Sequence, residues 1–122
     1  MKPITPRIHG VLDYATVLVT ALAPMLFGFS AVPARIAWAL AAGYLVLSLC
    51  TAYPLGVAKL VPFRGHGLAE VVIAVLLVPL PWMLGFADEA AARNFMLALV
   101  LITFVVVPLT DFRAAEGAAA HA

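Results

Sequence analysis

Charged side chains are scarce in this sequence: seven Lys and Arg and six Asp and Glu, 11% of 122 residues. A soluble domain keeps roughly a quarter of its residues charged, because its surface must be hydrated. With 66% of the residues hydrophobic, the solvent for most of the chain is expected to be lipid. The formal net charge of +1 offers no basic face, so nucleic acid is not an expected partner. Cys50 is the single cysteine, which excludes an internal disulfide and a cysteine-based zinc site. The chain has no Ser-His-Asp order, no phosphate-binding glycine loop and no HExxH, which argues against an enzyme. The alternating segments of about ten residues that build a membrane barrel are also missing.

The chain does contain long apolar runs. Crossing about 30 Å of hydrocarbon takes roughly 20 apolar residues as a helix. Four stretches approach this length: Val11–Phe29, Ala34–Tyr53, Leu68–Phe86 and Phe95–Leu109. The polar stretch Asp88–Asn94 is expected to extend the last helix into the headgroups, with Asp88 as its N-cap. Ser30, with Pro33, is the expected cap of the second helix. The fold class is therefore an all-α membrane protein with four transmembrane helices. Lys2, Arg7, Lys59, Arg64 and Arg113 lie on the side of both termini and the central loop, with only Arg35 and Arg93 opposite. That asymmetry places both termini in the cytoplasm. Lys2 and Arg7 before a run ending in Ala21-Leu22-Ala23 imitate a signal peptide. Pro24 after the apparent cut, and the recurrence of the segment later in the chain, favour a retained span.

Sliding the chain on itself so that His9 falls on His66 also aligns Arg7 with Arg64 and Gly10 with Gly67. Asp13 then meets Glu70, Pro24 meets Pro81, Gly28 meets Gly85 and Phe29 meets Phe86. With a slip of two residues, Thr51-Ala52-Tyr53 falls on Thr110-Asp111-Phe112. Apolar helices match one another by chance, but polar, glycine and proline positions do so rarely. A tandem repeat is expected, with residues 1–57 as the first two-helix unit, 58–113 as the second and 114–122 as a flexible tail. Two spans per unit bring both copies into the membrane in the same sense, so the repeat is parallel and not inverted.

His66-Gly67, Pro81-Trp82-Met83-Leu84-Gly85-Phe86 and the two-span period resemble the SPW-repeat family of small bacterial and archaeal integral membrane proteins. The resemblance covers roughly residues 7 to 113. The Ser-Pro-Trp of that family stands here as Ala23-Pro24-Met25 and Leu80-Pro81-Trp82. What the resemblance implies is the topology and a prokaryotic cytoplasmic (inner) membrane location; it supplies no mechanism.

The pairs His9/Asp13 and His66/Glu70 have the spacing that places two side chains on one helix face. Thr51 and Tyr53, and Thr110 and Asp111, return to the same level at the ends of the second and fourth helices. With Arg7, Arg64 and Arg113 they make one expected polar layer near the cytoplasmic face. Ionisable groups at the edge of a span pair with one another or line a site. Three readings stay open. Asp13 and Glu70 would sit in opening turns, favoured by the helix dipole and neutralised by the arginines. Alternatively, His and carboxylate would relay protons or ions. In the third reading, His9 and His66 would ligate a metal or haem, against which stands the lack of a second His on either helix face. No cofactor is expected. Thr16 and Thr20 make the first helix more polar than its counterpart, with Ile73 and Leu77, which counts against a symmetric pore.

Pro24 and Pro81 fall near the outer ends of their helices, where proline bends or ends a span. Trp82, Phe29 and Phe86 read as interfacial anchors, and Gly28 and Gly85 complete the repeated motif. On the second helix, Ala37, Ala41 and Ser48 share one side and Ala39-x-x-x-Gly43 another, small-residue faces suited to bundle packing or self-association. The fourth helix suits a lipid-facing or partner-facing position, with Thr103 its lone central polar residue; Cys50 reads as packing and His121 is no ligand candidate. The expected function is a non-enzymatic structural or accessory membrane protein, with the lipid bilayer, a homo-oligomer or a larger membrane complex as partners. Alternatives are a small transporter or channel for protons or ions, and a metal- or haem-binding membrane protein.

Overall fold

Helix α1, Pro6–Phe27, begins ahead of the expected Val11 because Thr5 and Pro6 form a strong start. The Thr5 hydroxyl accepts from the Ile8 amide at 3.2 Å, and Pro6 occupies a position where a missing N–H costs nothing. In this computed structural model, which describes residues 2–115, α1 is followed by α2 (Ala31–Leu49), α3 (Phe63–Leu77), α4 (Leu80–Met83) and α5 (Ala90–Leu109). Ala114 and Ala115 close a helical turn, with Ala115 packed near Tyr53 and Phe63. The rest of the expected tail, His121 included, lies outside the described residues.

Among the described residues, three helices are long and apolar enough to cross a membrane: α1, α2 and α5. The expected third span is divided into α3 and α4 instead of running unbroken over Leu68–Phe86. Pro79 and Pro81 cannot donate to the carbonyls of Val75 and Leu77, and their rings crowd the preceding turn. The chain nevertheless keeps turning, since Met83 N–H bonds Pro79 O at 3.0 Å and Leu84 N–H bonds Leu80 O at 2.9 Å.

Pro24 lies inside α1, and Pro81 opens α4. Each starts the same turn. Phe29 N–H reaches Pro24 O at 3.0 Å and Phe86 N–H reaches Pro81 O at 2.8 Å. Gly28 (φ 64°) and Gly85 (φ 78°) supply the left-handed residue that this closure needs. Phe86 is buried and Phe29 packs beside it against the core, so these two rings fill the bundle and do not anchor it outwardly. Trp82 is exposed.

The expected caps also differ. Glu89, not Asp88, holds the cap position of α5, without a capping bond of its own. Its carboxylate instead crosses to the other turn at that end, accepting from the Ser30 hydroxyl and from the Ser30 amide at 3.1 Å. Ser30 thus starts α2 by position but spends its side chain on Glu89.

α1 packs most extensively along α2, and α3 along α5, with α1 also meeting α5. Ala37, Ala41 and Ser48 are buried on α2, as is Ala34, while Ala39 and Gly43 line an apolar groove against α3. α5 is not simply lipid-facing, since Ala92, Met96 and Val100 enter the core beside Ala37, Ala74 and Leu77. Leu18, Val46, Val75 and Leu101 project outward, as apolar side chains do when lipid is the solvent.

At the other end, two short bridges tie the chain together. Ile4 N–H bonds Leu109 O at 3.1 Å and Asp111 N–H bonds Ile4 O at 2.8 Å. Val61 N–H bonds Cys50 O and Ala52 N–H bonds Val61 O, both at 2.8 Å. In each case the segment leading into one helix pairs with the segment leaving another, Ile4 with Thr110 and Val61 with Thr51. The bonds to Leu109 O and Cys50 O satisfy carbonyls that a helix end leaves without partners.

Candidate functional site

The bridges bring Thr110 beside α1 and Thr51 beside α3. Thr110 meets His9 Nδ1 at 2.8 Å, and Thr51 meets His66 Nδ1 at 2.7 Å. Each threonine also donates back to its own helix, Thr51 to Leu47 O at 2.6 Å and Thr110 to Val106 O at 2.7 Å. A hydroxyl has one hydrogen. With that hydrogen on the carbonyl, each threonine oxygen must accept, so both Nδ1 atoms carry a proton. Both Nε2 atoms therefore turn inward.

Four side chains meet there. His9 Nε2 lies 3.3 Å from Asp13 Oδ1 and 3.2 Å from Glu70 Oε2. His66 Nε2 lies 3.0 Å from Asp13 Oδ2 and 3.2 Å from Glu70 Oε1. Every Nε2 thus faces both carboxylates. The histidines are 0% exposed, Asp13 5% and Glu70 6%. A neutral imidazole with its proton on Nδ1 would point a lone pair at these oxygens, which repels. With both acids ionised, the arrangement is attractive only with positive charge between nitrogen and oxygen, carried by protons on Nε2 or by another cation.

Aromatic rings close the cluster from the terminal side. Phe63 stands edge-on to His9 with centroids 5.0 Å apart, and Phe112 packs on Phe63 at 4.5 Å. The Tyr53 hydroxyl donates to Asp13 Oδ2 at 2.8 Å. Burial pushes the Tyr53 phenol above its ordinary pKa, so it stays a donor. Phe112 corresponds to Tyr53 in the other half, and no hydroxyl stands there. Tyr53→Phe is accordingly expected to fit without repacking and to cost about 1.5–3 kcal/mol in denaturant unfolding, the worth of one hydrogen bond to a charged acceptor.

A cavity of about 40 Å³ is lined by both Asp13 and Glu70. Thr16, Tyr44 and Thr103 line it among apolar side chains. It has room for water but not for an organic substrate.

Of the expected polar layer, His9, Asp13, Thr51, Tyr53, His66, Glu70 and Thr110 come together. Arg7, Arg64 and Arg113 are exposed, and Asp111 is half-buried, its carboxylate accepting from the Ala114 amide at 3.2 Å. The carboxylates meet the histidines, and Asp13 lies two turns inside α1, beyond reach of a first-turn dipole effect. The second histidine that neither helix face supplies comes from the other half of the chain. Sequence reading missed Phe63, Tyr44 and the place of Thr103; Phe63, three residues before His66, carried a visible spacing signal, whereas the other two depend on packing across helices.

No curated protein and no solved structure matches the chain. The family model described as the SPW repeat domain matches residues 7–109. That match spans both halves, from the turn before His9 to the end of α5, and the chain belongs to the SPW repeat family.

Proposed function

We propose that this is a non-enzymatic protein of the prokaryotic cytoplasmic membrane whose working part is a buried cation-binding centre formed by His9, Asp13, His66 and Glu70. The observation that carries this reading is the fixed direction of the two imidazoles. Thr51 and Thr110 hold both Nδ1–H groups outward, which leaves two Nε2 atoms among four carboxylate oxygens. Two carboxylates in a buried site call for two compensating positive charges.

Four spans and tandem duplication belong to the same reading. α3 and α4 together would cross as one broken helix, tolerated where neighbouring helices cover the freed backbone groups. The matched Pro-to-Phe turns, the matched bridges and the matched His–Thr pairs support duplication. The excess of Lys and Arg at the centre's end supports cytoplasmic termini. Full burial of the histidines and the small cavity favour an accessory role over catalysis.

Difference infrared spectroscopy of the purified chain in detergent tests the centre. Ionised carboxylate bands at neutral pH, lost in Asp13→Asn/Glu70→Gln, are expected. Protonated carboxyl bands for both acids in the wild type would sink the proposal, since neutral acids beside neutral imidazoles hold no cation.

A transport reading has one observation in its favour: the cavity is lined by Thr16, Tyr44 and Thr103 as well as by Asp13 and Glu70. Proton or ion flux in vesicles, abolished by Asp13→Asn/Glu70→Gln, would replace the accessory role with this one.

A further inference from the structure

We infer that the cation held by His9, Asp13, His66 and Glu70 is a single divalent transition metal with tetrahedral preference, Zn²⁺ being the natural occupant. The inference rests on the cation-binding reading above and names the ion. Zn²⁺ bonds histidine nitrogen and carboxylate oxygen at about 2.0–2.2 Å. Ligand atoms at the corners of such a tetrahedron lie about 3.3–3.6 Å apart by simple geometry. The four Nε2-to-oxygen separations are 3.3, 3.2, 3.0 and 3.2 Å. These four run to four different oxygens, whereas one ion takes a single oxygen from each acid. Glu70 Oε1, 3.4 Å from His9 Nε2 and 3.2 Å from His66 Nε2, and Asp13 Oδ1, 3.3 Å from His9 Nε2, are the set that approaches ligand spacing. Charge-assisted N–H···O bonds are shorter, about 2.7–2.9 Å. Each protonated Nε2 would moreover have one hydrogen to divide between two carboxylates.

The ligand atoms offered by the four residues all lie within 4.8 Å of one another, wider than the tetrahedral edge, so the outermost pair must draw together when the ion binds. The donor set, two imidazoles and two carboxylates, is one that Zn²⁺ accepts. The surroundings match as well. A metal-ligating histidine donates its other ring N–H to a fixed acceptor, which sets the tautomer and aims the ligating nitrogen. Thr110 and Thr51 do this for His9 and His66, each anchored on a helix carbonyl. Tyr53 steadies Asp13 by donating to Oδ2.

The charges balance. Two imidazolium ions and two carboxylates sum to zero, as do one divalent ion, two neutral imidazoles and two carboxylates. Binding therefore follows M²⁺ + (HisH⁺)₂(COO⁻)₂ → M(His)₂(COO)₂ + 2 H⁺. Protons leave from the two Nε2 atoms, and the buried site stays neutral throughout. A monovalent ion in place of both protons would leave an uncompensated negative charge in a low-dielectric setting.

The test titrates the purified, metal-stripped full chain in detergent with Co²⁺, then displaces it with Zn²⁺. One Co²⁺ per chain is expected, with the intense visible bands of tetrahedral coordination and about two protons released per ion in weakly buffered solution. Glu70→Gln, close in volume to the native residue, is expected to weaken Co²⁺ binding by at least tenfold, and His9→Ala/His66→Ala to abolish it. The wild-type spectrum decides the geometry even if a variant fails to fold. Weak octahedral bands, binding undiminished in the double histidine variant, or no binding at all would each overturn the inference. No binding together with ionised carboxylates in the infrared would leave the cation as protons and the proposed function standing.

Discussion

His66→Ala is expected to lower the stability of the metal-free chain in detergent by on the order of 3–5 kcal/mol, read from denaturant unfolding in mixed micelles. The substitution removes the imidazole that lies 3.0 Å from Asp13 and 3.2 Å from Glu70. Two carboxylates are then left with one histidine between them, and the Thr51 oxygen loses the ring it accepts from. Breaking a buried charged cluster one member at a time is far costlier than removing it whole. Replacing His9, Asp13, His66 and Glu70 together by leucine, with Tyr53→Phe to remove the stranded donor, is therefore expected to recover most of the lost stability. The threonines tolerate this change because each still donates to its own helix. A single His66→Ala loss below about 1 kcal/mol would mean that the four groups are not mutually dependent.

Gly56→Ala is expected to be the most disruptive of the glycine substitutions. A β-carbon there would overlap the Thr51 carbonyl oxygen. No side-chain rotation relieves a clash with backbone, so the loop must move. That loop closes the end of α2: Val57 and Ala58 N–H groups bond Leu49 O, and Leu60 and Val61 N–H groups bond Cys50 O. Thr51 lies between these bonds and holds His66. A loss of roughly 3 kcal/mol or more is expected, beyond ordinary overpacking because ladder and ligand support fail together. Gly43→Ala is the control. Its added carbon meets nothing within 4 Å, and in a helix interior the change is expected to be neutral or stabilising by up to about 1 kcal/mol. Equal melting temperatures for the two variants would refute the proposed role of the loop.

Much of the site is legible in the sequence because helix periodicity is local. The four-residue spacing places His9 with Asp13 and His66 with Glu70 on common faces, and those faces do point inward. The alignment of Thr51 with Thr110 likewise marks two equivalent positions through the pattern of residues alone. Which histidine each threonine serves is not local. It depends on Ile4 pairing with Thr110 and Val61 with Thr51, through backbone bonds that bear no side-chain signature.

The departures have physical causes of the same kind. Charge alone assigns the arginines to the carboxylates, but a buried acid is served by whichever positive group can be buried with it, and here that is histidine. Thr5-Pro6 and Pro79-x-Pro81 are readable as a helix start and a helix break. Overall hydrophobicity hides both, because an apolar run shows where a chain can cross but not where its helix is interrupted.

The crossed bridges have a further consequence. His9, in the first half, is held by Thr110 of the second, and His66, in the second, by Thr51 of the first. Neither half contains a complete set of supports for its own histidine. A gene of half this length would encode a product unable to finish the centre alone, and able to do so only by docking with a twin. Fusion of two such genes would secure the pairing at synthesis and free the two copies to diverge, at positions such as Tyr53 and Phe112.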